Sequence, residues 1–102
     1  MKIQIQIAQK LHAVSGPSDR AHDLIDLQLI DARAEVDLTA ARAACRRLFS
    51  YRRAQAWPPA IAKQKGWDEM YAALAEGLPV LPDVDEAIRW ANEFVARIED
   101  AR

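Results

Sequence analysis

Glycine and proline divide this sequence into segments rich in helix-forming residues. Alanine occupies 20 of the 102 positions, whereas there are three glycines and five prolines. Alanine has the highest helix propensity and glycine and proline the lowest, so this usage favours helices over a sheet. The breaks fall at Gly16-Pro17, at Pro58-Pro59 and between Gly77 and Pro82. The sequence predicts an all-α fold, a compact bundle of four to five helices in a single domain over residues 1–102.

Capping residues and apolar spacing set the expected helix limits. Ser18 or Asp19 is a suitable N-cap for the second helix, Asp37 for the third and Asp83 for the last. The predicted helices cover residues 8–14, 19–34, 38–54, 67–76 and the segment after Asp83, with an irregular connection over 60–66.

The first seven residues alternate apolar and polar side chains, with Ile3, Ile5 and Ile7 at every second position. This alternation predicts a short N-terminal β-strand. A lone strand is not stable, so its partners must lie in another copy of the chain, another protein or a missing N-terminal α/β domain. An exposed strand edge would also promote homo-oligomers. The alternative is that these residues form the first turns of a helix that reaches Val14.

Several protein classes are excluded. No apolar run approaches the roughly 18 residues of a membrane span, and no signal-peptide pattern opens the chain. Cys45 is the single cysteine, so an internal disulfide and a cysteine-rich zinc site are excluded, and it is expected to be a small core residue. A cytoplasmic location without membrane contact is the default expectation.

The net charge of −1 hides an uneven distribution of charge. Residues 39–67 contain seven basic residues and no aspartate or glutamate. Five of the seven are arginines, Arg42, Arg46, Arg47, Arg52 and Arg53. They form either a solvated helix face whose stems cover the core or a surface that binds nucleic-acid phosphates, and the absence of acids favours the second. Among the tryptophans, expected in the core or at its rim, Trp57 is the best candidate for base stacking.

Asp23 and Asp26 fall within an apolar sector of the second predicted helix. At about 100° per residue, Asp23 lies between Leu27 and Ile30, and Asp26 lies between Ile30 and Leu29. A carboxylate against a core is costly unless it is paired or hydrogen-bonded, and such positions are enriched at functional sites.

Two interpretations of this acidic pair stay open. The simpler one is a structural ion pair with Arg20, Lys10 or another arginine. If the chain folds back at Gly16-Pro17, Lys10 approaches both acids, where it would neutralise them or bind a phosphate with their help. The separation of His12 and His22 fits no compact ligand motif, so no metal site is predicted.

These residues also carry a family resemblance. Lys10-Leu11-His12-Ala13, followed by Asp23-Leu24-Ile25-Asp26-Leu27, resembles the Lys-Leu-x-Ala … Arg-Asp-Leu-x-Asp-Leu signature of the AbiEii/AbiGii toxin family. The stretch from Phe49 to Pro59 and the two segments that follow it also resemble that family, so the resemblance extends over nearly the whole chain. Such proteins are nucleotidyltransferase-like members of abortive-infection and toxin–antitoxin systems.

The resemblance implies roles for individual residues. In such enzymes an N-terminal α/β part carries a Gly-Ser motif and metal-binding acids, and a C-terminal helical part carries a phosphate-binding lysine and a further aspartate. By this match the catalytic residues are Lys10 on the phosphates, Asp23 as the later acid and Asp26 in support. Mg²⁺ is implied for the complete enzyme, and none is expected to be bound by this chain alone. The arginine that precedes the first aspartate in the family is His22 here, with Arg20 as a nearby substitute.

The activity that the resemblance implies is nucleotide transfer from a nucleoside triphosphate to RNA, with tRNA as the acceptor that the family suggests. The Gly-Ser motif and the metal-binding acids do not occur in this sequence, so it looks like the C-terminal half of such a toxin. We expect this chain alone to be inactive and to bind triphosphate or RNA weakly. An antitoxin is an expected partner. The alternative is a non-enzymatic helical module that binds an antitoxin, another protein or nucleic acid.

Overall fold

A computed structural model describes residues 2–17 and 20–101 of the chain, and these residues contain five α-helices and no strand. The helices are α1 (Ile3–Ser15), α2 (His22–Arg33), α3 (Leu38–Arg52), α4 (Trp67–Ala75) and α5 (Val84–Glu99). The predicted all-α bundle is therefore confirmed. No described helix combines the length and the apolar character that crossing a bilayer requires.

The predicted N-terminal strand is wrong, because these residues form the first two turns of α1. Ile7, Leu11 and Val14 are fully buried and recur at helical spacing, whereas Ile3 and Ile5 remain about two-fifths exposed. A helix also satisfies its backbone hydrogen bonds internally, which a strand without a partner cannot do. The alternative of a helix reaching Val14 is confirmed, and homo-oligomerisation through a strand edge has no basis in the described residues.

The aspartate caps are placed as the sequence predicts for the third and last helices. Asp37 accepts a hydrogen bond from the Ala40 N–H at 3.0 Å, and Asp83 accepts one from the Glu86 N–H at 2.9 Å. The second helix is shorter than predicted and begins at His22. Ser18 and Asp19, the expected caps of that helix, lie outside the described residues.

All five helices contribute side chains to one hydrophobic core. The interface of α1 with α3 is the most extensive, and α2 packs against α1, α4 and α5. The largest side chains withdrawn from solvent are Trp67, Tyr71, Phe49 and Phe94. Burying each of these aromatic rings supplies much of the hydrophobic stabilisation of so small a domain.

Two amide side chains tie the connections to this core. Gln28 of α2 donates to Tyr71 Oη at 2.8 Å and accepts from the Leu81 N–H at 2.8 Å. Asn92 of α5 accepts from the Ile61 N–H at 2.9 Å and donates to the Ile61 carbonyl at 3.1 Å. The irregular connection before α4 is thereby held against α5, and the one after α4 is held against α2, because these backbone groups of Ile61 and Leu81 have fixed side-chain partners.

Candidate functional site

Lys10 of α1 lies between the two acidic side chains of α2. Its Nζ is 3.0 Å from Asp26 Oδ2 and 3.5 Å from Asp23 Oδ1. The chain folds back between α1 and α2, so that the two helices pack against each other. The approach of Lys10 to both aspartates is therefore confirmed, while its contact with phosphate stays a prediction.

The Asp23 carboxylate is fully buried and is held by several cationic or ionisable partners. Arg20 Nε donates to Asp23 Oδ2 at 2.8 Å, the shortest bond of the group. His22 Nε2 lies 3.5 Å from Asp23 Oδ1 and 3.4 Å from Arg20 Nη2. His22 stands where the family has an arginine, and Arg20, two residues earlier in the chain, makes the ion pair with Asp23 instead. The structural ion pair predicted for Asp23 is confirmed.

The cluster is closed on the Asp23 side and open on the Lys10 side. Lys10 is 24% exposed and Asp26 is 38% exposed, compared with 0% for Asp23. A cavity of 240 Å³ borders the cluster and is lined by Gln6, Gln9, Lys10, Arg20 and Asp23. This volume is below that of typical small-molecule sites, so it suits a phosphate-sized group better than a whole nucleotide.

The same cluster does not fit a Mg²⁺ ion in this arrangement. His22, Asp23 and Asp26 each offer a ligand atom, and these atoms lie within 4.8 Å of one another. However, the Lys10 ammonium is already 3.0 Å from Asp26 and 3.5 Å from Asp23, where it neutralises the oxygens that a cation would need. Mg²⁺ requires oxygen ligands at about 2.1 Å in octahedral geometry, which leaves no room for the ammonium group.

His12 is separate from this cluster. Its ring is buried and lies edge-on to Phe49, with 5.0 Å between the ring centroids. Burial, with a smaller contribution from the positive charge of Arg52, lowers the pKa of His12 below its ordinary value. A neutral imidazole packed in this way is a core residue.

The five candidate nucleic-acid-binding arginines of α3 and its C-cap do not form one surface. Arg42 is half-buried and committed to α5, where it donates to the Glu99 carbonyl at 3.0 Å and to Glu99 Oε1 at 3.1 Å. The other four are exposed. Arg46 and Arg53 line one cavity, whereas Arg47 lines a separate apolar groove between α1 and α3.

The residues that sequence analysis missed are polar side chains paired across long separations. Gln28 interrupts the apolar run of α2, and that interruption was the available signal that its amide is a buried hydrogen-bonding group. The pairs of Arg42 with Glu99 and of Asn92 with Ile61 span 57 and 31 residues. No local spacing rule identifies partners at such separations.

Comparison with known protein families agrees with the resemblance seen in the sequence. The family model described as nucleotidyl transferase AbiEii toxin, type IV toxin–antitoxin system, matches residues 3–93. The matched segment includes the Lys10 cluster, all of α1 to α4 and more than half of α5. No curated protein matches the chain significantly.

Proposed function

Because the chain belongs to the AbiEii nucleotidyl transferase toxin family of type IV toxin–antitoxin systems, we propose that it supplies the phosphate-binding and RNA-binding part of a toxin. In this proposal the toxin transfers nucleotides from a nucleoside triphosphate to RNA, with tRNA as the acceptor. It acts in the cytoplasm and is opposed by an antitoxin.

The observation that carries the proposal is the Lys10 cluster at the 240 Å³ cavity. Two cationic side chains, Lys10 and Arg20, and two amide side chains, Gln6 and Gln9, line a space of phosphate size. Arg20 and Lys10 are also bound to Asp23, which holds both cations in place. Fixed cations stabilise the negative charge of a transferring or leaving phosphate without reorganising during the reaction.

Each residue of the cluster has a distinct proposed role. Lys10 contacts the triphosphate through its exposed ammonium group. Asp23 is buried and orients Lys10 and Arg20, and Asp26 supports Lys10 from the solvent side. We place the Mg²⁺ ligands of the complete enzyme outside this chain. The group of possible metal ligands found among the described residues contains Asp23 and Asp26, and both carboxylates are already paired with Lys10.

The RNA-binding role is assigned to the exposed arginines Arg46, Arg47, Arg52 and Arg53. Their charges are not offset by acids within residues 39–67. Arg42 contributes less, because its guanidinium is already paired with Glu99. Arginines that neutralise RNA phosphates release the counterions bound to the RNA. The affinity for RNA should therefore fall steeply as the salt concentration rises.

A titration of the purified chain with nucleoside triphosphates tests the phosphate site. We expect weak binding that Lys10→Ala reduces by about tenfold, because a charge-assisted bond of about 1.5 kcal/mol is lost. Lys65→Ala is the matched control, since Lys65 is exposed and far in sequence from the cluster. Equal affinities of the wild type and Lys10→Ala would contradict the proposed role of Lys10.

A transfer assay with labelled triphosphate, tRNA and Mg²⁺ tests the division of labour. The chain alone is expected to transfer no nucleotide, and product formed by the chain alone would contradict the assignment of the metal ligands to another part of the toxin. Binding of neither triphosphate nor RNA would support the non-enzymatic module, for which the apolar groove with Ile5 and the 84% exposed Tyr51 is a protein-binding candidate.

A further inference from the structure

A second cavity, of 610 Å³, lies where α3 ends and the chain turns toward Pro58. Arg46, Ser50 and Arg53 line it from α3 and its C-cap, and Trp57 lines it from the connection that follows. Glu99, at the end of α5, also contributes to the wall. This volume lies within the range of small-molecule sites, roughly 300–1,000 Å³, and suits a single nucleotide.

The charges around this cavity favour an anion. Arg46 and Arg53 are exposed at its wall, and Glu99 is the one acid among the described residues that line it. Arg42 is bound to Glu99 at 3.1 Å and offsets that negative charge. Partial desolvation alone would raise the pKa of Glu99, but hydrogen bonding from Arg42 and Trp57 and the positive charges of Arg42 and Arg46 together outweigh it and lower this pKa, so the Glu99 carboxylate stays ionised.

The wall also offers an aromatic ring, beside which two polar atoms are buried. Trp57 packs edge-on against Phe49 with 5.3 Å between the ring centroids, which fixes the ring. Its indole nitrogen is buried, and the indole N–H helps to lower the pKa of Glu99, so this donor is already engaged. Gln55 Oε1 is buried as well, so neither atom is exposed to the cavity. A nucleobase can stack on an aromatic face without a base-specific hydrogen bond.

We propose that this cavity binds one unpaired nucleotide of the acceptor RNA, with the base against Trp57 and the flanking phosphates on Arg46 and Arg53. The choice of RNA as the ligand rests on the proposed function. The cavity itself favours a single strand over a duplex, because a paired base cannot turn its face toward an aromatic side chain without leaving the stack.

The test is the binding of a fluorescein-labelled single-stranded RNA of eight mixed nucleotides, with a blunt RNA duplex and a nucleoside monophosphate as alternative ligands. Arg46→Gln changes an exposed position, and Ser50→Tyr fills the cavity from another exposed position, so neither should disturb folding. Arg89→Gln is the matched control, since Arg89 is an exposed arginine of α5 that lines neither this cavity nor the one beside Lys10. Trp57→Leu removes the aromatic face.

We expect the single strand to bind more tightly than the duplex or the monophosphate. Arg46→Gln, Ser50→Tyr and Trp57→Leu should each weaken single-strand binding by about tenfold, and Arg46→Gln should reduce the salt slope by about 0.7. Arg89→Gln should change the affinity by less than about threefold. If Trp57→Leu fails to fold, the other two variants still decide the question.

Three results would overturn the proposal. Equal losses for Arg46→Gln and Arg89→Gln would indicate diffuse electrostatic binding. Unchanged binding by Ser50→Tyr would place the RNA elsewhere, and preferred binding of the monophosphate would make this a free-nucleotide site. Triphosphate binding by Lys10→Ala is measured in parallel. If Lys10→Ala loses triphosphate binding and the cavity variants keep RNA binding, the cavity is refuted while the proposed function stays intact. If the cavity variants lose RNA binding and Lys10→Ala keeps triphosphate binding, the proposed function is refuted while the cavity stays supported.

Discussion

Replacing Asp23 by asparagine removes the charge from the centre of the Lys10 cluster while keeping the side-chain shape. The carboxylate is fully buried and accepts from Arg20 at 2.8 Å, with Lys10 at 3.5 Å. A hydrogen bond between charged groups contributes about 1.5–3 kcal/mol net. The Lys10 contact is long and Arg20 is 49% exposed, so solvent screening keeps the total near the middle of that range, at about 2 kcal/mol.

The assay is urea unfolding followed by tryptophan fluorescence. With a slope of about 1 kcal/mol per molar urea for a domain of this size, Asp23→Asn should lower the midpoint by about 2 M. Asp26→Asn is the matched control. Asp26 is 38% exposed and bound to the same lysine, so its loss should cost less than about 1 kcal/mol and should be screened by added salt. Equal shifts for the two variants, or a shift below about 0.5 M for Asp23→Asn, would refute this account of the cluster.

Three further predictions follow from buried side chains. Because burial lowers the pKa of His12, its neutral form stabilises the fold above pH 6.5, and this contribution should be lost as the pH falls from 6.5 through the folded-state pKa. His12→Phe should flatten that part of the stability–pH curve measured by urea unfolding, and an unchanged curve would contradict the assignment. Gln28→Leu should destabilise the domain by about 1–3 kcal/mol in thermal unfolding, since the Leu81 N–H loses its acceptor and Tyr71 loses a donor. Burial raises the pKa of Cys45 to about 12. Its reaction with a thiol reagent at pH 8 should therefore be at least about a thousandfold slower in the folded protein than in urea. Rapid labelling of the folded protein would show that the helices around Cys45 open.

The functional proposals place two ligand-binding regions on one small domain. The Lys10 cluster lies between α1 and α2, and the 610 Å³ cavity lies at the end of α3 beside α5. The two regions share no lining residue. Variants at one region should therefore leave binding at the other unchanged, and their effects on binding free energy should add in a double variant.

The amino-acid sequence by itself determined the helices and most of their limits. Helix propensity, capping and apolar spacing act between residues a few positions apart, so Asp37 and Asp83 mark the starts of α3 and α5 without any knowledge of the fold. Local spacing also identified Asp23 as a carboxylate against the core, but it placed Asp26 in the same apolar sector, and Asp26 is 38% exposed. The alternation of Ile3, Ile5 and Ile7 misled for a related reason. It satisfies a two-residue period over a stretch too short to exclude a helix.

Tertiary structure alone decided which of these groups work together. The alternation at the N-terminus became a helix because Ile7, Leu11 and Val14 have a core to enter. Arg42 is paired with Glu99 and is therefore not part of the exposed basic surface. Of the other arginines, Arg46 and Arg53 line one cavity and Arg47 lines another. Such pairings join residues tens of positions apart. Their free energy depends on distance and burial in three dimensions, to which no local spacing rule has access.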